Sequence, residues 1–346
     1  MTNGSGQSYI YWAMKKNVTQ DDTTQYNFNI VTYTGNGSAN HYIDGFDFRP
    51  DLVITKVSNA VGQWSWFDTV RGAGNRADST STNTPSQVGD SLQSFKFDGF
   101  TYGNEAGNNN GEGYVSFAWR AGRTWLVNNN GNTTSLTNTN QSAGFSIVKY
   151  LGNQTAGHTI GHGLSQKPDM IILKCLDSSN PWYVYHIGVD ASNPAHYNLR
   201  LQASDARQDS TTEFNDTEPT STVFTLGTTT GTNKTDNEYI AYCFHSVSGK
   251  RKFGSYTGNG STQSITGLGF QPDFLMIKQT NGSNAWRVFN SVSGLSGKTL
   301  FFNLTSAIDT ESNTVSSFDS DGWTMGSQQG VNDNGDTYIY WAEKIH

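Results

Sequence analysis

The chain has 346 residues and a net charge of −7; charged side chains make up 15% of it and aromatic side chains 13%. The many aromatic residues exclude a disordered chain, and the negative charge argues against sequence-independent binding of nucleic acid. No apolar run reaches the roughly 18 residues of a membrane span, and the wealth of Asn, Thr, Ser and Gly favours short strands and turns over helices.

The first predicted element is a strand at Tyr9–Ala13, whose sequence Tyr-Ile-Tyr-Trp-Ala returns at Tyr338–Ala342. We interpret residues 1–16 as the terminal strand of a partial preceding repeat, followed by a linker at residues 17–27. Two explanations remain open. The chain is a fragment of a longer array, which we favour, or the strand completes a sheet of the first repeat or of a neighbouring subunit.

Five landmarks then recur three times in the same order, which is typical of tandem repeats. They are Tyr-x-Gly-Asn, Pro-Asp with a Lys six residues after the Pro, Trp-x-x-aromatic-polar, aromatic-Thr-x-Gly, and a closing strand. The third landmark stands at Trp64, Trp182 and Trp286. We predict repeat A at residues 28–125, a polar linker at 126–142, repeat B at 143–248 and repeat C at 249–346.

Turn signals bracket short apolar runs inside each repeat, for example Asp98-Gly99 and Asp321-Gly322, and favour hairpins. The predicted fold is all-β, with three tandem antiparallel β-sandwich repeats of lectin-like, jelly-roll type plus one extra N-terminal strand. An open barrel is the alternative. The two cysteines, Cys175 and Cys243, cannot build a disulfide framework and are expected to be buried free thiols.

No catalytic constellation is recognisable, and we predict that the protein is not an enzyme and has no catalytic residue, cofactor or metal site. The turn at Val331–Thr337 resembles a calcium loop, but it lacks the distal bidentate Glu. His158, His162, His186 and His245 of repeat B lack the spacing and supporting carboxylate of a zinc site.

The Trp-x-x-aromatic-polar step is the most suggestive feature, because flat aromatic rings beside hydrogen-bonding side chains are a common way to hold sugars. We expect Trp64, Trp182 and Trp286 to lie in the core. Loop residues near this step are the candidates for carbohydrate binding: Trp66, Arg71, Tyr183 and Arg287.

The sequence resembles a repeated domain of uncharacterised function in tail-fibre-like virion structural proteins of tailed phages that infect marine and cyanobacterial hosts. The resemblance rests on the Tyr-Thr-Gly-Asn-Gly-Ser and Gly-Phe-Gln-Pro-Asp segments of repeat C, on Asp68–Gly74 of repeat A, and on the closing strands. It covers essentially the whole chain. Its motifs are mostly turn and core residues, and the family offers no catalytic residue to carry over.

This resemblance implies a virion structural protein, made in the host cytoplasm and found in the extracellular particle. We expect a tail-fibre or receptor-binding component that presents its repeats to a host surface glycan. The expected partners are other virion proteins and further copies of the chain, for which a trimer is one option, without nucleic acid or membrane insertion. The alternatives are a capsid-decorating or filament-forming protein without a ligand, and, less favoured, a polysaccharide-degrading enzyme.

Overall fold

The computed structural model describes residues 27–104, 107–294 and 298–345. The predicted N-terminal strand at Tyr9–Ala13 lies outside these residues. The described chain is nearly all β, and its strands form three successive groups, named here unit A (residues 28–119), unit B (126–244) and unit C (251–343). Among the helices of the described residues, none is long and apolar enough to cross a membrane.

Unit A contains nine strands: β1 Phe28–Thr34, β2 His41–Ile43, β3 Leu52–Val57, β4 Trp64–Asp68, β5 Asn75–Asp78, β6 Ser86–Gln87, β7 Leu92–Lys96, β8 Gly99–Tyr102 and β9 Gly113–Trp119. Its large sheet has the order β1-β9-β3-β4-β5-β6, and its small sheet has the order β2-β8-β7.

Unit B contains ten strands: β10 Leu126–Asn128, β11 Ser135–Asn140, β12 Phe145–Leu151, β13 His158–Gly161, β14 Met170–Cys175, β15 Tyr183–His186, β16 Tyr197–Arg200, β17 Gln208–Asp209, β18 Val223–Leu226 and β19 Glu238–Phe244. It also has a 3₁₀ turn at Pro194–His196 and two short helices, α1 Thr211–Phe214 and α2 Thr230–Asn233. The sheet orders are β10-β11-β12-β19-β14-β15-β16-β17 and β13-β18.

Unit C contains eight strands: β20 Arg251–Thr257, β21 Gln263–Thr266, β22 Phe274–Gln279, β23 Arg287–Asn290, β24 Leu300–Phe301, β25 Val315–Asp319, β26 Gly322–Met325 and β27 Thr337–Glu343. Its sheets have the orders β20-β27-β22-β23-β24 and β21-β26-β25. Neighbouring strands in the sheets run antiparallel. Each described sheet ends in two open edges, so the open-barrel alternative is wrong.

The segment at residues 126–142, predicted to be a linker, is instead part of a sheet. β11 pairs along its length with β12, and β10 pairs with β11, so the two strands extend the large sheet of unit B. The prediction failed because a Thr- and Asn-rich strand at a sheet margin lacks the apolar alternation that marks a half-buried strand.

The Asp of each Pro-Asp landmark holds the end of the closing strand. Its carboxylate accepts a hydrogen bond from the backbone N–H two residues beyond that strand, at 2.7–2.9 Å. The three pairs are Asp51 with Ala121, Asp169 with Ser246 and Asp273 with Ile345. Buried backbone donors must be satisfied, which explains why Asp follows Pro in all three places.

Each large sheet is covered on both faces. One face packs on the small sheet of the same unit and forms a separate core in each unit. The other face joins a single hydrophobic core to which all three units contribute, including Trp64, Trp182 and Trp286, each 0% exposed. The prediction that these three Trp residues are core residues is confirmed. Cys175 and Cys243 are buried free thiols, as expected.

The three Trp side chains also connect the units in a cycle. The indole N–H of Trp64 in unit A donates to Phe301 O of unit C at 2.7 Å. Trp182 of unit B donates to Asp78 O of unit A, and Trp286 of unit C donates to Arg200 O of unit B, both at 3.0 Å. Every unit therefore gives one such hydrogen bond and receives one.

The Lys of the Pro-Asp landmark follows the same cycle. The Nζ atoms donate to a carbonyl oxygen of the neighbouring unit at 2.8–3.2 Å: Lys56 to Thr305, Lys174 to Thr82 and Lys278 to Ser204. All three residues are fully buried. Burial lowers the pKa of Lys56 and of Lys174 to about 8, and that of Lys278 to about 7, because it penalises the charged ammonium group.

The first prediction concerns the Trp cycle. Replacing Trp182 by Phe keeps an aromatic ring but leaves the buried Asp78 carbonyl without its donor, and we expect a loss of about 1–3 kcal/mol beyond the packing loss. Trp66→Phe is the matched control, because the Trp66 indole nitrogen has no hydrogen-bond partner among the described residues. Urea unfolding followed by circular dichroism measures both; equal losses would contradict a role for the hydrogen bond.

The second prediction concerns pH. The unfolded Lys278 side chain, with a pKa near 10.5, binds a proton that the folded side chain releases near pH 7. The free energy of unfolding should therefore rise between pH 7 and pH 8.5. Lys278→Met should reduce the slope of this rise and leave the part that comes from Lys56 and Lys174, whereas Lys298→Met, at an exposed Lys, should leave the slope unchanged. Urea midpoints at half-unit pH steps test this; an unchanged slope in Lys278→Met would refute it.

Candidate functional site

The four residues predicted to bind carbohydrate are all buried. Trp66 is 1% exposed, and its ring lies 5.1 Å from that of Trp182 and 5.5 Å from that of Tyr242 in the shared core. Tyr183 and Arg287 are each 5% exposed, and the Arg71 side chain is 4% exposed. The placement of these residues on loops is wrong for Trp66, Tyr183 and Arg287, which lie on β4, β15 and β23. Carbohydrate binding by the four residues stays a prediction.

The physical reason lies in the sheet that carries them. Side chains on β4, β15 and β23 point alternately toward the shared core and toward the core of their own unit, and both sides are covered. If one face of these strands were in water, every second side chain of the Trp-x-x-aromatic-polar segment would be exposed.

Arg71 forms a buried ion pair with Asp68 inside unit A, and Tyr242 of unit B contacts both residues. Its Nε contacts Asp68 Oδ2 at 2.5 Å, and its guanidinium also donates to Trp66 O and Asn75 O, each at 2.9 Å. Tyr242 of unit B donates its hydroxyl to the same Asp68 oxygen at 2.8 Å. These contacts pair both charged side chains of the loop at Asp68–Gly74, a segment found only in repeat A. The distinct sequence of this loop therefore stabilises the contact between units A and B.

A second buried ion pair lies where the three units meet. Arg251 pairs with Glu343, and Trp119 of unit A and Trp341 of unit C each donate an indole N–H to Glu343 Oε2 at 3.0 Å. Arg251 also donates to Ala143 O of unit B at 2.7 Å. The other units have aromatic pairs at the corresponding cross-strand positions, Phe28 with Trp119 and Phe145 with Phe244.

The predicted calcium-like turn has a different role. The side-chain oxygen of Asn332 accepts the backbone N–H of Asn259 at 2.8 Å, and its amide group donates to Gly326 O at 2.8 Å. Asn108 and Asn233 make the corresponding contacts in units A and B. In each unit one Asn side chain therefore connects two loops. Within the described residues there is no group of three or more metal-ligating side chains.

A row of three cross-strand neighbours inside each unit differs in chemistry between the units. In unit A the row is Ser65, Thr55 and Ser116, as the pairing of β4 with β3 and of β3 with β9 places them side by side. The same pairing gives Tyr183, Leu173 and Ala241 in unit B, and Arg287, Ile277 and Tyr340 in unit C. Only unit A has three hydroxyl groups here.

The first position of this row decides whether the space beside it is filled. In unit B the Tyr183 ring lies so close to Gly231 that a Cβ there would come within 2.2 Å of it. In unit C Arg287 lies equally close to Gly330 and forms a two-pronged ion pair with Glu311 at 2.9 and 3.0 Å. Tyr183 and Arg287, two of the predicted site residues, thus occupy equivalent positions, and each fills the space beside its strand.

Unit A has the small Ser65 at that position and a hollow of about 230 Å³ beside it. The residues that line the hollow include Thr55, Ser65, Arg76, Asn109, Glu112 and Tyr114. Thr55 and Ser116 share a hydrogen bond of 2.7 Å, and Glu112 accepts hydrogen bonds from the Tyr114 hydroxyl at 2.6 Å and from the Asn109 amide at 3.0 Å. This hollow is the candidate functional site.

Tyr102 lies behind this region but is not among the residues that line the hollow. Its side chain is fully buried near Thr55 and Tyr33. Burial raises the pKa of Tyr102 well above its usual range.

Sequence reasoning missed this hollow, although a signal exists. The residue after the Trp of the third landmark is Ser65 in repeat A, Tyr183 in repeat B and Arg287 in repeat C. A small residue where two equivalent positions carry large ones indicates vacant space.

The third prediction concerns the ion pair between Arg251 and Glu343. Arg251→Met should destabilise the protein by about 3–5 kcal/mol, because it leaves the Glu343 carboxylate buried without its partner. The double variant Arg251→Phe with Glu343→Phe restores the aromatic pairing of the other units, and we expect it to recover most of that loss. Urea unfolding compares the two variants; a double variant no more stable than Arg251→Met would contradict this account.

In a comparison with known families, a family model described as a domain of unknown function (DUF7483) matches residues 22–291 and residues 256–345. No curated protein matches the chain in sequence.

Proposed function

The chain belongs to the family of this domain of unknown function, DUF7483, and on that premise we propose that it is a non-catalytic virion structural protein of tail-fibre or receptor-binding type. It would present its units to a surface glycan of the host. The tail-fibre part of the proposal comes from the sequence resemblance described above, and the structure supports the scaffold part.

The observation that carries the scaffold proposal is the cycle of Trp and Lys contacts. Each unit donates two buried hydrogen bonds to a neighbour, and the cycle closes within one chain. Such contacts fix the relative position of the units, which is what an adhesive or particle-bound protein requires. The charged groups Asp68, Arg71, Arg251 and Glu343 are likewise committed to junctions between units.

We further propose that the three units are equivalent repeats of one lectin-like β-sandwich. The recurrence of a large and a small antiparallel sheet in each, with the same four central strands, supports this. The boundary between repeats A and B is then placed before β10, near residue 125, because β10 and β11 belong to the sheet of unit B.

The partners proposed are host glycans, other virion proteins and further copies of the chain. A capsid-decorating or filament-forming protein without a ligand is the alternative, and it requires the same rigid scaffold. The two differ in whether the purified chain binds a sugar.

The fourth prediction tests this function in two steps. Mass spectrometry of purified particles, from a lysate of cells that carry the gene, should find the chain as a particle component. The purified chain should then bind glycans of the host surface on a glycan array and compete with particle adsorption. A chain absent from particles would refute the virion role; a chain that is present but binds no glycan would leave the decorating or filament role in its place.

A further inference from the structure

We propose that the hollow of unit A binds a single neutral sugar ring, such as the terminal residue of a glycan. The inference rests on the proposed glycan-binding function and assigns that function to one unit and one site. It also explains why only unit A differs in the row that begins at Ser65.

The three units differ at one equivalent position. The same strands and cross-strand pairs place Tyr183 in unit B, Arg287 in unit C and the small Ser65 in unit A. The hollow beside Ser65 opens to solvent next to Val61, which is 77% exposed, so a ligand can reach it from outside. Tyr183 and Arg287 show that the fold accepts a large side chain here, so the space in unit A results from Ser65.

The lining of the hollow is polar. The hydroxyl groups of Ser65 and Thr55 stand where unit B has Tyr183 and Leu173, and the lining also includes the Tyr114 side chain and the Asn109 amide. A sugar ring offers several hydroxyl groups that both donate and accept. A polar hollow of this kind matches such a ligand, whereas an apolar ligand would leave the lining groups unsatisfied.

The charge and size of the hollow also restrict the ligand. The charged lining residues are Arg76 and Glu112, one of each sign, so the hollow favours a ligand without net charge. Val57 and Val61 add apolar surface for the C–H face of a sugar. The volume of about 230 Å³ is below the roughly 300–1,000 Å³ of pockets for drug-sized ligands, which limits the ligand to about one ring.

The experiment fills the hollow in the way that unit B does. Ser65→Tyr should weaken binding at least tenfold. Ser264→Tyr, which adds the same ring at an exposed serine of unit C, should leave binding unchanged. The probes are D-glucose, D-galactose, D-mannose, L-rhamnose and D-glucuronate, each measured by saturation-transfer NMR on the full chain. We expect at least one neutral sugar to bind the parent and Ser264→Tyr, with at least tenfold weaker binding by Ser65→Tyr.

Thr55→Val provides a second variant that keeps the shape of the lining. It should weaken sugar binding by about tenfold, because it removes a hydroxyl group that lines the hollow. A Thr55 with a structural role alone would lower the melting temperature and leave sugar binding unchanged.

The outcomes separate this site from the general function. If the parent and Ser65→Tyr bind an array glycan equally well, the hollow is not the site, while the glycan-binding function stands. Stronger binding of D-glucuronate than of every neutral sugar would overturn the neutral specificity. A parent chain that binds neither array glycans nor any of the five sugars would overturn both proposals.

Discussion

The second buried face of each large sheet is the constraint on which the rest of the structure depends. A sandwich needs one covered face per sheet, yet Trp64 at the start of β4, and Trp182 and Trp286 directly before β15 and β23, lie in the core shared by the three units. Those rings bring a polar N–H into a dry core, where it must find an acceptor. The acceptors are carbonyl groups of the adjacent unit. The same Trp side chains therefore cover the second face of the sheet and link the units.

Charge placement follows from the same constraint. Arg251 and Glu343 occupy positions where units A and B have aromatic pairs, and two indole N–H groups converge on the Glu343 carboxylate. Replacing such a pair by apolar residues is often neutral for stability. The role of this ion pair is therefore better understood as specifying the relative arrangement of the three units. Only unit C supplies the charges, and only unit A supplies the Trp119 donor.

The sequence was sufficient for the all-β class, for the burial of the landmark Trp residues and for the turns. It was not sufficient for the exposure of Arg71 and Arg287, because alternation along a strand shows two faces but not whether a neighbouring unit covers the outer one. The strands β10 and β11 were missed, since Asn and Thr are as common in loops as at sheet margins. The hollow of unit A was missed for a different reason: a cavity is defined by what a small residue such as Ser65 fails to fill.

The junction of Trp119, Phe244 and Glu343 has an evolutionary consequence. These three residues occupy the same position in their closing strands and meet at the centre of the protein. In an assembly of three identical chains, one gene would place the same side chain there three times, and three carboxylates would repel one another. Joining the units in a single gene removes that symmetry. Each unit can then be substituted independently of the other two. Unit C can therefore carry the Glu343 carboxylate at the junction, and unit A can have the small Ser65 where the other units have a large side chain.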